Sequence, residues 1–298
     1  MMIFDAHNDL LTAEITDSDK AGVLNGYKES GVLDGVTLAV WTTERIKSAG
    51  DIFALISQLH TPHSTLRTTF AVEDIGFADD KDIEELASGA CSDVSDRAEG
   101  CHLCGDQASL AQSGGFAYIS LTWNNDNKFA GGAYGTGGLT EAGARAVKKL
   151  SSNTYIDCVH LNQKSFYGIA DITDKIIVSH TAFSGVRKHP RNISDEQIKI
   201  ILERGRGCGL ALVGDFLSPS KADISDVVRH IDYFVQKFGG SGLFIGTDFF
   251  GTDDLPEGLT DYDSFYALKY RLESLGYPDS AIKNIFSENY PRIINNFI

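Results

Sequence analysis

The stretch Phe4-Asp5-Ala6-His7-Asn8-Asp9-Leu10 decides how the rest of this chain is read. It follows three apolar residues and places His7 and Asp9 two apart. Residues i and i+2 of an extended segment point to the same side. An imidazole beside a carboxylate, at the C-terminal end of a short apolar strand, suits a borderline metal such as Zn²⁺. A surface turn is the other reading, because Asn and Asp are common turn residues. The metal reading gains from what lies downstream, where similar strand ends recur.

Short β-rich runs follow at Gly35–Trp41, Arg67–Glu73, Ala117–Trp123, Thr154–His160, Lys175–His180, Gly207–Gly214 and Ser241–Asp248, with Met2–His7 as the first. Between most of them lie segments of helical period: Asp51–His60, Thr140–Leu150, Ser194–Arg204, Ser225–Phe238 and Asp263–Leu275. Ser194 followed by Gln197 has the spacing of a capping box. Asp279–Ile298 reads as a closing helical segment. Apolar strands alternating with helices imply a parallel sheet. Eight such units in about 250 residues fit an α/β (β/α)₈ TIM barrel better than a doubly wound sheet, and no glycine-rich phosphate loop follows the first strand. The expected organisation is one barrel domain over residues 1–298, with an irregular insertion or lid at about 88–115.

In such a barrel the C-terminal strand ends converge on one face, and that face carries the active site. Strand one is expected to end at His7 with Asp9 just beyond. Strand three ends in Glu73, five in His160, six in His180 and eight in Asp248. A core histidine satisfied by one hydrogen bond explains any one of these, but not five strand ends together. Three imidazoles and three carboxylates exceed what one zinc needs. They suffice for two metals that share a carboxylate, where a bridging hydroxide can be the nucleophile.

The chain resembles the renal (membrane) dipeptidase family, a branch of the amidohydrolase-type metal barrels. The resemblance rests on Asp5-Ala6-His7-Asn8-Asp9, Leu121-Thr122-Trp123-Asn124, Gly138-Leu139-Thr140-Glu141-Ala142-Gly143, Ile156-Asp157-Cys158-Val159-His160, Ser179-His180-Thr181, Arg191-Asn192-Ile193-Ser194-Asp195 and Gly246-Thr247-Asp248-Phe249. It implies two Zn²⁺, one held by His7 and Asp9 and one by His160 and His180, bridged by a glutamate and a hydroxide. It implies that Arg191 pairs with the free carboxylate of a dipeptide and that Asp248 shuttles the proton to the leaving amine. Family members often accept a D-residue at the C-terminal position, which extends that expectation here.

Two glutamates compete for the bridge. Glu99-Gly100 resembles better-known members, whereas Glu73-Asp74-Ile75-Gly76-Phe77 resembles another branch. Glu73 is preferred because Phe70-Ala71-Val72 leads into it as a strand, while Ser92–Ala98 is too polar for an inner strand. The chain also departs from the family at Trp123, where well-studied members place a histidine that polarises the scissile carbonyl. Trp123 and Asn124 are then expected to shape the substrate pocket. Phe250 stands where an acidic residue is frequent. Two further readings stay open: another binuclear metal-barrel amidohydrolase, acting on an N-acyl amino acid, a lactone or a deaminase substrate, and a catalytically silent relative.

A net charge of −15 disfavours nucleic acid or an anionic membrane as a partner. The expected partner is a small dipeptide, and a homodimer is compatible with this reading. No apolar run of about 18 residues or leader pattern stands out, so the five cysteines read as reduced thiols of a cytoplasmic protein. Cys101-His102-Leu103-Cys104 has zinc-type spacing but lacks a second pair, which favours an ordinary polar loop.

Overall fold

The computed structural model describes residues 1–14, 17–42, 44–58, 66–89 and 115–294. Glu99, Cys91, Cys101 and Cys104, and with them most of the expected insertion, lie outside the described residues.

Eight parallel strands follow one another in chain order: β1 (Ile3–Asn8), β2 (Leu33–Trp41), β3 (Arg67–Glu73), β4 (Tyr118–Ser120), β5 (Tyr155–Asp157), β6 (Ile176–Thr181), β7 (Cys208–Leu210) and β8 (Leu243–Ile245). Around them run α1 (Asp17–Ser30), α2 (Ala49–Gln58), α3 (Asp80–Ser88), α4 (Glu141–Leu150), α5 (Gln163–Ala170), α6 (Asp195–Glu203), α7 (Gly214–Leu217), α8 (Ile224–Phe238) and α9 (Phe265–Ser274). The expected closing helix is broken into α10 (Asp279–Lys283), a π-helical turn at Asn284–Glu288, and α11 (Asn289–Ile294). The strands and helices thus form the α/β (β/α)₈ barrel. The capping box at Ser194 and Gln197 opens α6 as its spacing predicts. Helices α1, α3, α5 and the short α7 had no counterpart in the periodicity reading.

Apolar residues divide between two layers. The larger cluster lies between the strands and the surrounding helices, with Val36, Leu38 and Val40 of β2 on that outer side. The smaller one fills the barrel interior with Phe4, Ala39, Ala71, Tyr118, Tyr155 and Phe244. Tyr290 of α11 plugs the interior from below. Its ring lies 5.3 Å from Phe4 and 5.0 Å from Phe244, and its hydroxyl is 2.7 Å from Thr37 Oγ1. A filled interior leaves only the upper, C-terminal rim for chemistry.

The seam between β8 and β1 is closed just above the strand ends. Asp9 N donates to Phe249 O at 2.9 Å and Asp248 N to His7 O at 3.2 Å. Asp5, fully buried, straps the same seam. Its carboxylate accepts from His7 N (3.2 Å), Thr247 N (2.8 Å), Thr247 Oγ1 (2.6 Å) and the Tyr262 hydroxyl (2.5 Å). An Asp5→Ala change strands four buried donors without adding apolar contact. The expected loss is about 4 kcal/mol, read as a lower urea midpoint at unchanged slope. A midpoint within error of the parent would show that the seam closes without Asp5.

Candidate metal centre

Two of the three rim histidines arrive on bulged strands. Between Asp5 and Asn8, β1 carries one residue more than its partner β2, and between Val178 and Thr181, β6 carries one more than β7. A bulge resets the alternation of side chains. Ala6 and His7 therefore both face inward, as do Ser179 and His180. The second bulge needs space beside the Ser179 carbonyl. A Cβ on Gly209 would stand 1.8 Å from that oxygen and one on Gly246 would stand 2.0 Å from it, so only glycine fits at either place.

His160 and Asp248 differ from expectation. They do not end β5 and β8 but stand three residues beyond them, with φ of 63° and 64°. A left-handed backbone cannot continue a strand, and it costs a non-glycine residue about 1–2 kcal/mol. At both positions the unusual backbone turns the side chain back over the barrel mouth.

The side chains meet in one buried cluster. His7 Nε2 lies 3.2 Å from Asp9 Oδ2, 3.2 Å from Glu73 Oε2 and 3.8 Å from Asp248 Oδ1. His160 Nε2 lies 2.8 Å from Glu73 Oε1 and 3.2 Å from His180 Nε2. Glu73 thus presents one carboxylate oxygen to each side of the cluster. Three sets of residues could each hold a cation: His7 with Asp9 and Glu73, Glu73 with His160 and His180, and His7 with His180 and Asp248.

The outer nitrogens fix which way each imidazole faces. The Tyr118 hydroxyl gives its proton to Ala6 O (2.9 Å), so it accepts from His7 Nδ1 (2.8 Å). Ser179 Oγ donates to Asp157 Oδ2 (2.5 Å), so it accepts from His180 Nδ1 (2.9 Å). Asn124 Oδ1 accepts from His160 Nδ1 (2.8 Å). With Nδ1 donating outward in all three rings, each Nε2 faces the cluster, the orientation that a metal ligand requires.

That arrangement fits divalent cations. The lone pairs of His160 and His180 face each other at 3.2 Å, and Asp9 Oδ1 is buried without a hydrogen-bond partner among the described residues. Two buried carboxylates, Asp9 and Glu73, and the partly buried Asp248 share the cluster with one fixed cation, Arg191, whose Nη2 lies 3.0 Å from His160 Nε2. Buried charge in such excess calls for a compensating positive charge.

The electrostatic directions agree. Burial and then the Asp9 charge push the Asp248 carboxyl well above its usual range. Burial opposes ionisation of Glu73 too, but His160, His7 and His180 together outweigh it and hold that carboxyl well below its usual range. Burial depresses His7, yet Asp9 and Glu73 reverse the sign and raise it. Burial and then Arg191 take His160 down to about 4, and burial and then His7 keep His180 low. Two of the three imidazoles are therefore neutral donors near neutral pH.

The structure brings His7, Asp9, Glu73, His160, His180, Asp248 and Arg191 into this cluster. Asn124 meets His160 on the Nδ1 side of its ring. Trp123 is 39% exposed at the rim, its ring 6.0 Å from His160 and 5.6 Å from that of Trp41. Sequence reading gave no role to Tyr118, Asp157 or Ser179. The signal available was a buried Asp inside the otherwise apolar run Tyr155-Ile156-Asp157-Cys158-Val159, and burial pushes that carboxyl up to about 6.

Comparisons with known proteins bear on the family and the fold. A sequence model of the membrane dipeptidase family (Peptidase family M19) matches residues 1–297. An uncharacterized protein of Klebsiella pneumoniae, from the pqqA 5' region, is 29% identical over 197 residues, covering 61% of this chain and 72% of its own. The crystal structure of a Rhodobacter sphaeroides metallopeptidase, liganded with a phosphinate mimic of the dipeptide L-Ala-D-Ala, superposes with a TM-score of 0.73 at 18% identity, covering 100% of this chain and 99% of that one. The probable dipeptidase PvdM of Pseudomonas aeruginosa superposes with a TM-score of 0.70 at 14% identity, over 100% and 96%. At these identities the superpositions speak for the barrel, and the family match speaks for the chemistry. No helix among the described residues is long and apolar enough to cross a membrane. The chain belongs to the membrane dipeptidase family of metallopeptidases and is a hydrolase of peptide bonds.

Proposed function

We propose that this protein is a zinc dipeptidase that hydrolyses free dipeptides, including those with a D-residue at the C-terminal position. The observation that carries the proposal is Glu73, with one carboxylate oxygen toward His7 and the other toward His160. In this reading His7 and Asp9 would hold one Zn²⁺ and His160 and His180 a second, with Glu73 offering an oxygen to each side. Bound metals would supply electrophilic polarisation of the carbonyl and acidify a water near neutral pH. Asp248, 3.8 Å from His7 Nε2 and with a carboxyl made more basic by burial, takes the proton of the attacking water and hands it to the departing amine. Trp123 and Trp41 offer an apolar wall at the rim in place of the family's carbonyl-directed histidine. Asn124 orients His160. Cys158 and Cys208 are free and buried, in keeping with a cytoplasmic setting.

Arg191 receives the substrate's α-carboxylate. Its chain is held by Thr181 Oγ1, which donates to Arg191 O at 2.8 Å, and by His189 Nδ1, which accepts from Arg191 N at 3.2 Å. Its guanidinium lies 5.0 Å from the centre of the Phe216 ring. A planar fork suits a carboxylate and demands that it lie one residue beyond the cut. Elemental analysis of purified protein, together with turnover of an L-Xaa-D-Xaa and L-Xaa-L-Xaa panel, tests the whole scheme. About two zincs per chain with cleavage is the expected result. Arg191→Ala should then lower kcat/KM by about a hundredfold, mostly through KM, with Arg191→Lys recovering part of it. Unchanged activity of Arg191→Ala on the best substrate would rule out a dipeptidase.

A further inference from the structure

A cavity of about 350 Å³ opens beside the metal centre, on the β5–β6 side of the barrel mouth. Its size is that of a small-ligand site. His160 and Arg191 form its inner wall, and Asn162, Ser184, Lys188 and His189 stand further out. The chain carries 41 acidic residues against 26 basic ones, yet among the described residues no Asp or Glu borders this cavity. Its neighbours sharpen the contrast. Arg187 and His189 both turn to Asp215, at 3.2 Å each, and Asp215 lies outside the cavity wall. Lys188, exposed between them, takes no such acid among the described residues. The cavity also touches the starts of α5 and α6 at Asn162 and Ser194, where backbone N–H groups give a helix its positive end.

The position of this cavity names the part of the substrate that enters it. With the α-carboxylate on Arg191, the side chain next to Arg191 is that of the C-terminal residue. We infer that this subsite selects dipeptides whose C-terminal residue carries an acidic side chain, so that Arg191 takes the main-chain carboxylate and Lys188 the side-chain one. This rests on the dipeptidase reading above. Glutamine and asparagine are the neutral isosteres against which the preference is measured.

The test is kcat/KM of the zinc-loaded protein for Ala-Glu against Ala-Gln, and Ala-Asp against Ala-Asn, in both C-terminal chiralities, with Ala-Ala as the neutral standard. An exposed lysine is screened by solvent, so the expected acid-to-amide ratio is about five, narrowing as salt is raised. Lys188→Met should bring the ratio close to one, and Lys188→Glu should invert it. Lys188 is exposed, so both variants should fold. A parent ratio of one or less, or a ratio that Lys188→Glu leaves unchanged, would overturn the inference while cleavage of Ala-Ala upheld the dipeptidase. Failure to cleave any dipeptide, Ala-Ala included, would remove both.

Discussion

Replacing Asp248 by Asn lowers kcat by about a thousandfold and leaves the metal content of the purified protein as it was. The loss is placed in kcat because Asp248 is asked to accept and return a proton, which an amide cannot do. Its position suits that task. It sits in a left-handed turn beyond β8, within 3.8 Å of His7, and both burial and the Asp9 charge raise its affinity for a proton. The packing around it is close, since a Cβ on Gly251 would lie 2.4 Å from Asp248 Oδ1 and 2.3 Å from Asp9 Oδ2. Asn preserves the shape, so the change isolates the proton. The same substitution separates two roles, because Asp248 also groups with His7 and His180 in a set that could hold a cation. Loss of metal together with activity would make Asp248 a ligand, and full activity would remove it from the mechanism.

The barrel was legible because its evidence is repetitive. Apolar β-runs and amphipathic helices alternate along the chain, and no single one of them has to be right. Of the helices that escaped notice, α1 had a weak pattern, with Gly22 and Gly26 in a mostly polar sequence. The site was legible by residue type, since His and carboxylates at strand ends have few other uses together. How those residues reach the site was not. Period-two alternation cannot put both Ser179 and His180 inside; the bulge does, and it depends on Gly209 and Gly246, which belong to other parts of the chain. The turns at His160 and Asp248 were read as strand because apolar runs, Cys158-Val159 and Leu243-Phe244-Ile245, lead up to them, whereas the backbone there has left the β region. The partners of the imidazoles were hidden for a similar reason. Tyr118 is 111 residues from His7 and Asp157 is 22 from Ser179, and only barrel closure brings them together.

Glu73→Gln tests the centre itself, and its expected effect is on metal retention as well as on rate. The two carboxylate oxygens of Glu73 divide between His7 and His160, at 3.2 and 2.8 Å. An amide keeps one oxygen and turns an N–H₂ group toward the other side, where it cannot ligate. The variant should retain under half of the parent's zinc and lose about a thousandfold in kcat/KM. Stability separates this from simple misfolding. A cation that binds only the folded protein stabilises it by about 4 kcal/mol at a thousandfold excess over Kd, or roughly 8 °C in Tm for a chain of this size. Adding zinc to the chelator-treated parent should produce a shift of that order, and adding it to Glu73→Gln should produce little. The metal-free variant should be less stable than the metal-free parent, because it loses the contacts with His7 and His160 that hold Glu73 ionised, so the comparison is made on the zinc-induced shift and not on the starting Tm. Should Glu73→Gln keep both its zinc and its zinc-dependent shift in Tm, the shared ligand is another residue, and Glu99 is the acid to replace next.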